Sequence, residues 1–148
     1  MKLQNVLLSN CGNLMIADFG LAKWLCRRKR TGTICGTLAF MAPEVASGTL
    51  YDHTIDLWSL GVLLYCLAFA KYPFPKTDSP EKMAENHQEN IQIVEKITHE
   101  NNHVENILKN LLKFQPEERY FCNEDSLNSN CEINRNMTFY DTILSDIE

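Results

Sequence analysis

The segment over residues 54–70, TIDLWSLGVLLYCLAFA, constrains the fold more than any other part of this sequence. Thr54 is predicted as the N-cap of a helix and Asp56 falls in its first turn, both of which are typical of a helix start. The following residues are apolar nearly all round the helix, and a helix without a polar face is buried. With 148 residues and 45% hydrophobic composition, the chain can bury this helix in the middle of one compact domain.

Two more helices are predicted after this segment, and a β-hairpin before it. The helices cover residues 81–97 and 104–114, and in the second one the apolar residues follow the spacing of a single helical stripe. The apolar runs Val6–Leu8 and Leu14–Ile16 flank a turn-rich pentapeptide, which predicts a small hairpin. The expected fold class is therefore mainly α, with one small β-hairpin.

Charge separates the C-terminal residues from the rest of the chain. Acidic residues outnumber basic ones after residue 122 so strongly that this stretch accounts for the whole net charge of −5. Residues 122–148, rich in Asn and acids, are therefore predicted to form a disordered tail after a folded unit over residues 1–121. Because the folded unit is electrically balanced, we expect neither a nucleic-acid-binding nor a membrane-binding surface.

The cysteines and the N-terminus indicate where such a chain works. The six cysteines show no paired spacing, so reduced thiols are expected rather than a disulfide framework or a zinc site. No basic segment followed by an apolar core opens the chain, and the longest apolar run is too short to span a bilayer. We expect a cytoplasmic protein, with the nucleus as a second location.

The first residues that indicate a reaction are Asn5 and Asp18, one on each side of the predicted hairpin. Two oxygen-bearing side chains that converge in this way suit Mg²⁺, which keeps waters and phosphate oxygens as its other ligands. Gly20 allows the backbone to turn sharply after Asp18. Phe19 is expected to pack inward and to set the direction of the Asp18 side chain.

Five short motifs, taken together, resemble those of eukaryotic serine/threonine protein kinases in order and in spacing. They are residues 2–5 (KLQN), 18–20 (DFG), 41–44 (MAPE), 56–61 (DLWSLG) and 115–119 (QPEER). The resemblance covers residues 1 to about 119. It implies the C-terminal lobe of a protein kinase domain, without the N-terminal lobe, and an ATP-dependent phosphoryl transfer from Mg²⁺-ATP to Ser or Thr of a protein substrate.

The resemblance also implies roles for individual residues around the nucleotide. Asn5 and Asp18 would hold the Mg²⁺ ions that bridge the phosphates of ATP. Lys2 would contact the transferred phosphoryl group, and a lysine at this position is typical of serine/threonine kinases. Leu7 and Ala17 would form the floor beneath the adenine.

Further roles follow from the same resemblance. Thr37 would bridge Lys2 and the catalytic base and would help to seat a serine or threonine substrate. Glu44 and Arg119 would form a buried structural ion pair, and Asp56 would begin the central helix.

The segment over residues 30–37, RTGTICGT, is similar to the activation loops of the AGC group, particularly its ribosomal S6 kinase-related members. On that match Thr31 is the first candidate for an activating phosphorylation and Thr33 the second, with an upstream activating kinase as the partner. A basic run over residues 27–30 precedes them. It fits a solvated loop or, less well, a nuclear-targeting signal, and its pairing with the added phosphate is a hypothesis.

Two alternatives remain beside the active kinase. The family pattern places the general-base aspartate directly before Met1 and the Gly-rich loop further upstream, so we expect little activity from a truncated domain. The chain could then be a catalytically silent, kinase-like binding module. Residues 99–103 (HENNH) match a zinc-protease motif, but two central asparagines disfavour the helix that such a site requires.

Overall fold

The structure is a computed structural model that describes residues 1–23, 30–95 and 103–120. It is rich in helix and contains one two-stranded sheet. The strands are β1 (Val6–Leu8) and β2 (Leu14–Ile16). The helices are α1 (Pro43–Ala46), α2 (Thr54–Phe69), α3 (Pro80–Glu95) and α4 (His103–Leu111). Single turns of 3₁₀-helix occur at Leu3–Asn5, Leu38–Phe40 and Pro116–Glu118.

The hairpin has the bounds that the sequence predicts. Strand β1 pairs with β2 in antiparallel register, so that Leu7 lies opposite Met15. In the turn, the Ser9 carbonyl accepts a hydrogen bond from the Gly12 N–H at 2.9 Å. Gly12 has a φ of +80°, a conformation that glycine adopts without steric cost. The hairpin therefore follows from two short apolar runs and the turn residues between them.

Helix α2 lies in the core, as its apolar sequence predicts. Trp58 and Val62 are completely buried within it, and residues of α1, α3 and α4 join the same hydrophobic cluster. The predicted N-cap was wrong: Thr54 is the first helical residue. Asp52 Oδ1 instead accepts hydrogen bonds from the Thr54 N–H at 2.9 Å and from its hydroxyl at 2.7 Å. The Asp52 carboxylate, two residues before the helix begins, thus binds a first-turn N–H that has no partner within the helix.

Helix α4 packs directly on α2 through its predicted apolar stripe. Leu108 and Leu111 are completely buried, and a Cβ built on Gly61 of α2 would lie 2.8 Å from Leu112 Cδ2. Only glycine allows this close approach of the two elements. The helix ends at Leu111 rather than at residue 114. Beyond this end, the carbonyls of Lys113 and Phe114 accept hydrogen bonds from a buried arginine side chain, so these backbone groups are satisfied outside the helix.

Helix α3 begins one residue earlier than predicted and is described as far as Glu95. Three other predictions cannot be compared with this fold. Residues 99–102 of the zinc-protease motif, residues 27–29 of the basic run and the predicted tail lie outside the described residues. Across the described ranges, no helix is both long and apolar enough to cross a membrane.

Candidate functional site

Asn5 and Asp18 meet at the open end of the hairpin. Asn5 closes the 3₁₀ turn before β1, and Asp18 follows β2 after one residue. The Ala17 N–H donates to the Asn5 carbonyl at 2.8 Å, which fixes the two chain segments side by side. The Asn5 Nδ2 then donates to Asp18 Oδ2 at 3.3 Å. The two side chains that the sequence singled out as Mg²⁺ ligands are therefore in direct contact.

The backbone of Asp18 adopts a left-handed conformation, with a φ of +62°. Aspartate tolerates this region better than most residues, but such a conformation persists only where the surroundings hold it. Here the Gly20 N–H donates to Asp18 Oδ1 at 3.3 Å, so the carboxylate caps the turn that it begins. Strain of this kind concentrates at functional sites, where it directs a side chain that an unstrained backbone would turn away.

The donor set suits a hard cation that keeps most of its other ligands. In the described part of the chain, no group of three or more His, Cys, Asp or Glu residues could hold a metal by itself. Asp18 supplies a carboxylate, and Asn5 supplies its amide oxygen once the amide has turned its nitrogen away from Asp18. Mg²⁺ is commonly bound by one or two such groups together with waters and phosphate oxygens. The pair therefore fits Mg²⁺ that arrives with a nucleotide better than a metal ion bound by protein alone.

The remaining nucleotide-site candidates are Leu7, Ala17, Lys2 and Thr37. Leu7 is 46% exposed on β1, opposite Met15, and Ala17 is partly buried directly after β2, so both leave apolar surface open. Lys2 is partly exposed, and its carbonyl accepts a hydrogen bond from the Asn5 N–H at 3.1 Å. Thr37 is exposed before the second 3₁₀ turn. Within the described residues, no hydrogen bond joins the Lys2 and Thr37 side chains.

Phe19 does not pack inward, and this expectation was wrong. Its side chain is 69% exposed and borders a cavity of about 540 Å³ that Asp18 and Asp56 also line. The direction of Asp18 is set instead by the hydrogen bonds from Asn5 and Gly20.

Thr31 and Thr33, the two candidate phosphorylation sites, share one cation. Lys23 Nζ donates to the Thr33 hydroxyl at 2.6 Å and lies 3.4 Å from the Thr31 hydroxyl. The Thr33 side chain is exposed, whereas Thr31 is partly buried and pairs with Tyr51 in an isolated β-bridge. Sequence reasoning missed Lys23 because no local pattern shows that it returns to the threonines across the loop.

Glu44 and Arg119 form a bidentate ion pair although 75 positions separate them. Arg119 Nη1 and Nη2 donate to the two Glu44 carboxylate oxygens at 2.6 and 2.7 Å. The Arg119 side chain is completely buried, and its Nε donates to the Lys113 carbonyl at 2.7 Å. The guanidinium also lies 5.0 Å from the centre of the Trp58 ring. This pair joins the start of α1 to the last described turn and to the central helix.

Asp56 lies exposed in the first turn of α2, where its charge complements the helix dipole. Three residues later, the buried Ser59 hydroxyl donates to the Phe40 carbonyl at 3.0 Å. This bond anchors the segment that leads into α1 on the central helix. Asp56 and Ser59, at the start of α2, therefore line the same cavity as Asp18.

The family model described as protein kinase domain matches residues 1–128. The chain belongs to this family. It is 51% identical over 72 residues to the human ribosomal protein S6 kinase-related protein, covering 49% of this chain and 18% of that protein. It is 37% identical over 123 residues to Aurora kinase A-A of Xenopus laevis, covering 80% of this chain and 28% of the relative.

A third relative is serine/threonine-protein kinase N2 of Danio rerio, 37% identical over 120 residues, with 80% of this chain and 12% of that protein covered. The chain thus spans less than a third of the length of each of these kinases. The relatives are serine/threonine kinases, and the S6 kinase-related protein and kinase N2 support an AGC-like type. The resemblance that the sequence motifs indicated is confirmed.

Proposed function

We propose that this chain supplies the C-terminal lobe of an ATP-dependent serine/threonine protein kinase, with Asn5 and Asp18 as the ligands of its Mg²⁺. The contact between these two side chains at the end of the hairpin carries the proposal. The family membership supports it, since protein kinases share this chemistry. The bound Mg²⁺ would offset the charge that develops on the phosphates during transfer.

The other residues of the site act through position. Leu7 and Ala17 offer an apolar surface on which an adenine ring can lie, because the hairpin leaves them open. Lys2 would neutralise charge on the transferred phosphoryl group. Thr37 would contact the Ser or Thr of a protein substrate. Phosphoryl transfer depends mostly on such placement and on electrostatics, so each residue contributes by holding one reactant in line.

Thr33 is favoured over Thr31 as the activating phosphorylation site. Its hydroxyl is exposed and lies 2.6 Å from Lys23 Nζ, so a phosphate there would meet a cation at once. Thr31 is the weaker candidate because its main chain is held in the bridge to Tyr51. A phosphate adds nearly two negative charges, and its pairing with lysine can order a loop. The proposed modifying partner is an upstream kinase.

A metal-binding measurement tests the proposal. Mn²⁺ is a paramagnetic substitute for Mg²⁺. Added together with millimolar ADP, it should broaden the NMR signals of the hairpin in the full chain. Asp18→Asn should abolish this broadening. Asp78→Asn removes an exposed carboxylate elsewhere and should leave the broadening as it is in the wild type. Equal broadening in the wild type and in Asp18→Asn would show that the metal binds outside the proposed site.

A catalytically silent, kinase-like binding module is the second candidate, and the exposed hairpin favours it. The apolar side chains of both strands are 46–63% exposed from Leu7 to Ile16, which is typical of a surface that another protein covers. We expect the purified chain to transfer no phosphate from Mg²⁺-ATP to a Ser/Thr protein substrate. Transfer that depends on Mg²⁺ and is lost in Asp18→Asn would contradict the silent module.

A further inference from the structure

Three hydrogen bonds tie the segment of the candidate phosphorylation sites to Tyr51. The Thr31 N–H donates to the Tyr51 carbonyl at 2.9 Å, and the Tyr51 N–H donates to the Thr31 carbonyl at 2.8 Å. The Tyr51 hydroxyl reaches further along the same segment and donates to the Thr33 carbonyl at 2.8 Å. We call this set of three bonds the Tyr51 clamp.

Tyr51 is a firm support for these bonds. Its side chain is only 7% exposed, and it belongs to the hydrophobic core that includes Phe40. Burial, with a smaller contribution from the nearby Cys35 thiol, raises the pKa of Tyr51 above its ordinary value. The hydroxyl therefore keeps the proton that it donates. A buried ring with a satisfied hydroxyl loses little freedom when it holds a loop.

The two segments lie close together beside the clamp as well. A Cβ built on Gly32 would lie 3.3 Å from Leu50 Cδ2, and one built on Gly48 would lie 3.6 Å from Ile34 Cδ1. At Gly32 the Leu50 side chain would have to move by a few tenths of an ångström to admit a methyl group. The two segments are therefore in close contact on both sides of the bridge.

An enzyme that modifies Thr31 or Thr33 must take the surrounding main chain into its own cleft. In the clamped state, both main-chain polar groups of Thr31 and the carbonyl of Thr33 are already bonded. The modifying enzyme can bind only the fraction of molecules in which these bonds are open. The apparent affinity of the enzyme then falls in proportion to that fraction.

We propose that Tyr51 is a positioning residue whose clamp withholds Thr31 and Thr33 from phosphorylation until the segment opens. The inference rests on the proposed function only for the meaning of the modification, since the clamp itself is a property of the fold. In the step it controls, the threonine oxygen bonds to the γ-phosphorus of the activating kinase's ATP. The bond from that phosphorus to ADP breaks, and the hydroxyl proton passes to a base of that kinase.

Hydrogen–deuterium exchange of the full chain tests the clamp without any kinase. Tyr51→Phe removes the hydroxyl and keeps the buried ring. The Thr31 and Tyr51 amides should then exchange about threefold to tenfold faster, the factor that one neutral hydrogen bond supplies. Tyr65→Phe makes the same chemical change at another buried tyrosine, and exchange at both amides should match the wild type. Unchanged exchange in Tyr51→Phe would overturn the proposal.

Phosphorylation by an added enzyme tests the consequence. An arginine lies three residues before each threonine, so a purified arginine-directed serine/threonine kinase with Mg²⁺-ATP is a suitable probe. Mass spectrometry should show an initial rate at Thr33 that rises in Tyr51→Phe by a factor similar to that of the exchange. A free peptide of residues 28–36 has no clamp and should react faster than either chain.

The outcomes separate this inference from the proposed function. Faster exchange in Tyr51→Phe without faster phosphorylation, or a wild-type rate equal to that of the peptide, would refute the control of modification. Loss of Mn²⁺ binding at Asp18 has no bearing on either measurement. The clamp can therefore stand if the kinase proposal fails, and it can fail if the kinase proposal stands.

Discussion

Replacing Arg119 with methionine should cost this chain a large part of its stability. The Arg119 side chain is completely buried, and the exposed fraction of the Glu44 side chain is 9%. Methionine would leave the Glu44 carboxylate without the two hydrogen bonds that it accepts at 2.6 and 2.7 Å. Breaking one side of a buried ion pair costs about 3–5 kcal/mol, because the remaining charge stays away from water.

That loss is a large fraction of the stability of a small domain, which is about 5–15 kcal/mol. Arg119→Met also removes the donors to the Lys113 and Phe114 carbonyls. Arg119→Lys keeps the charge but cannot reproduce the planar fork, so its effect should be smaller yet clear. Glu44→Gln should cost about as much as Arg119→Met. Combining it with Arg119→Met should cost less than the sum of the single changes, since the two effects share one interaction.

Urea unfolding of the full chain, followed by the fluorescence of the buried Trp58, measures these differences. With a slope of about 1–3 kcal/mol per molar urea, the Arg119→Met midpoint should fall by about 2 M. Lys82 and Glu85 provide the control, because they form an ion pair at 2.8 Å with both side chains more than half exposed. Lys82→Met should leave the urea midpoint close to that of the wild type, because an exposed ion pair contributes little.

The reasoning is refuted if Arg119→Met and Lys82→Met lose similar amounts of stability. It is also refuted if the Glu44 and Arg119 changes add without coupling. Either result would mean that water solvates the Glu44–Arg119 ion pair, so that breaking the pair costs no more than breaking an exposed one.

Three further predictions concern stability and use the same assay. Gly61→Ala should lower the unfolding free energy by about 1–3 kcal/mol, because the new methyl group would lie 2.8 Å from Leu112. An unchanged unfolding free energy would show that Leu112 can move away from α2 without cost. Burial, helped by a nearby guanidinium, lowers the pKa of His87 to about 4, whereas an unfolded histidine titrates near 6.5. The unfolded state therefore binds the proton first, and the free energy of unfolding should fall by about 3 kcal/mol between pH 7 and pH 4. His87→Phe should remove this contribution to the pH dependence. Burial alone would raise the pKa of Asp52, but hydrogen bonds from Thr54 lower it. Asp52→Ala should therefore cost about 1 kcal/mol of stability at pH 7 and less in acid, where the carboxyl is protonated. An equal loss at pH 7 and in acid would contradict this account.

The sequence predicted those elements whose causes are local. The bounds of β1 and β2 follow from short apolar runs and a turn that contains Gly12, and the burial of α2 follows from its lack of a polar face. The contact of Asn5 with Asp18 was expected because a hairpin brings its two ends together. In each case the information lies within a few residues of the element or site.

The features that the sequence did not predict depend on contacts between distant segments. After α4 ends, the carbonyls of Lys113 and Phe114 bind the side chain of Arg119, a contact that the helical pattern does not show. The exposure of Phe19 depends on what covers its ring, and no periodicity carries that information. Lys23 and Tyr51 converge on Thr31 from opposite directions along the chain, so neither could be assigned before the loop had a path.

The separation of 75 positions between Glu44 and Arg119 has a consequence for how the chain matures during synthesis. A ribosome that adds about 5–20 residues per second needs about 4–15 s to pass from the carboxylate to its partner. During that interval the first half of the domain can form its hairpin and central helix, but its acidic side chain has no guanidinium to bind. The contact therefore forms after the central helix, and closing so long a loop costs conformational entropy. Until Arg119 has left the ribosome, water rather than a guanidinium has to solvate the Glu44 carboxylate.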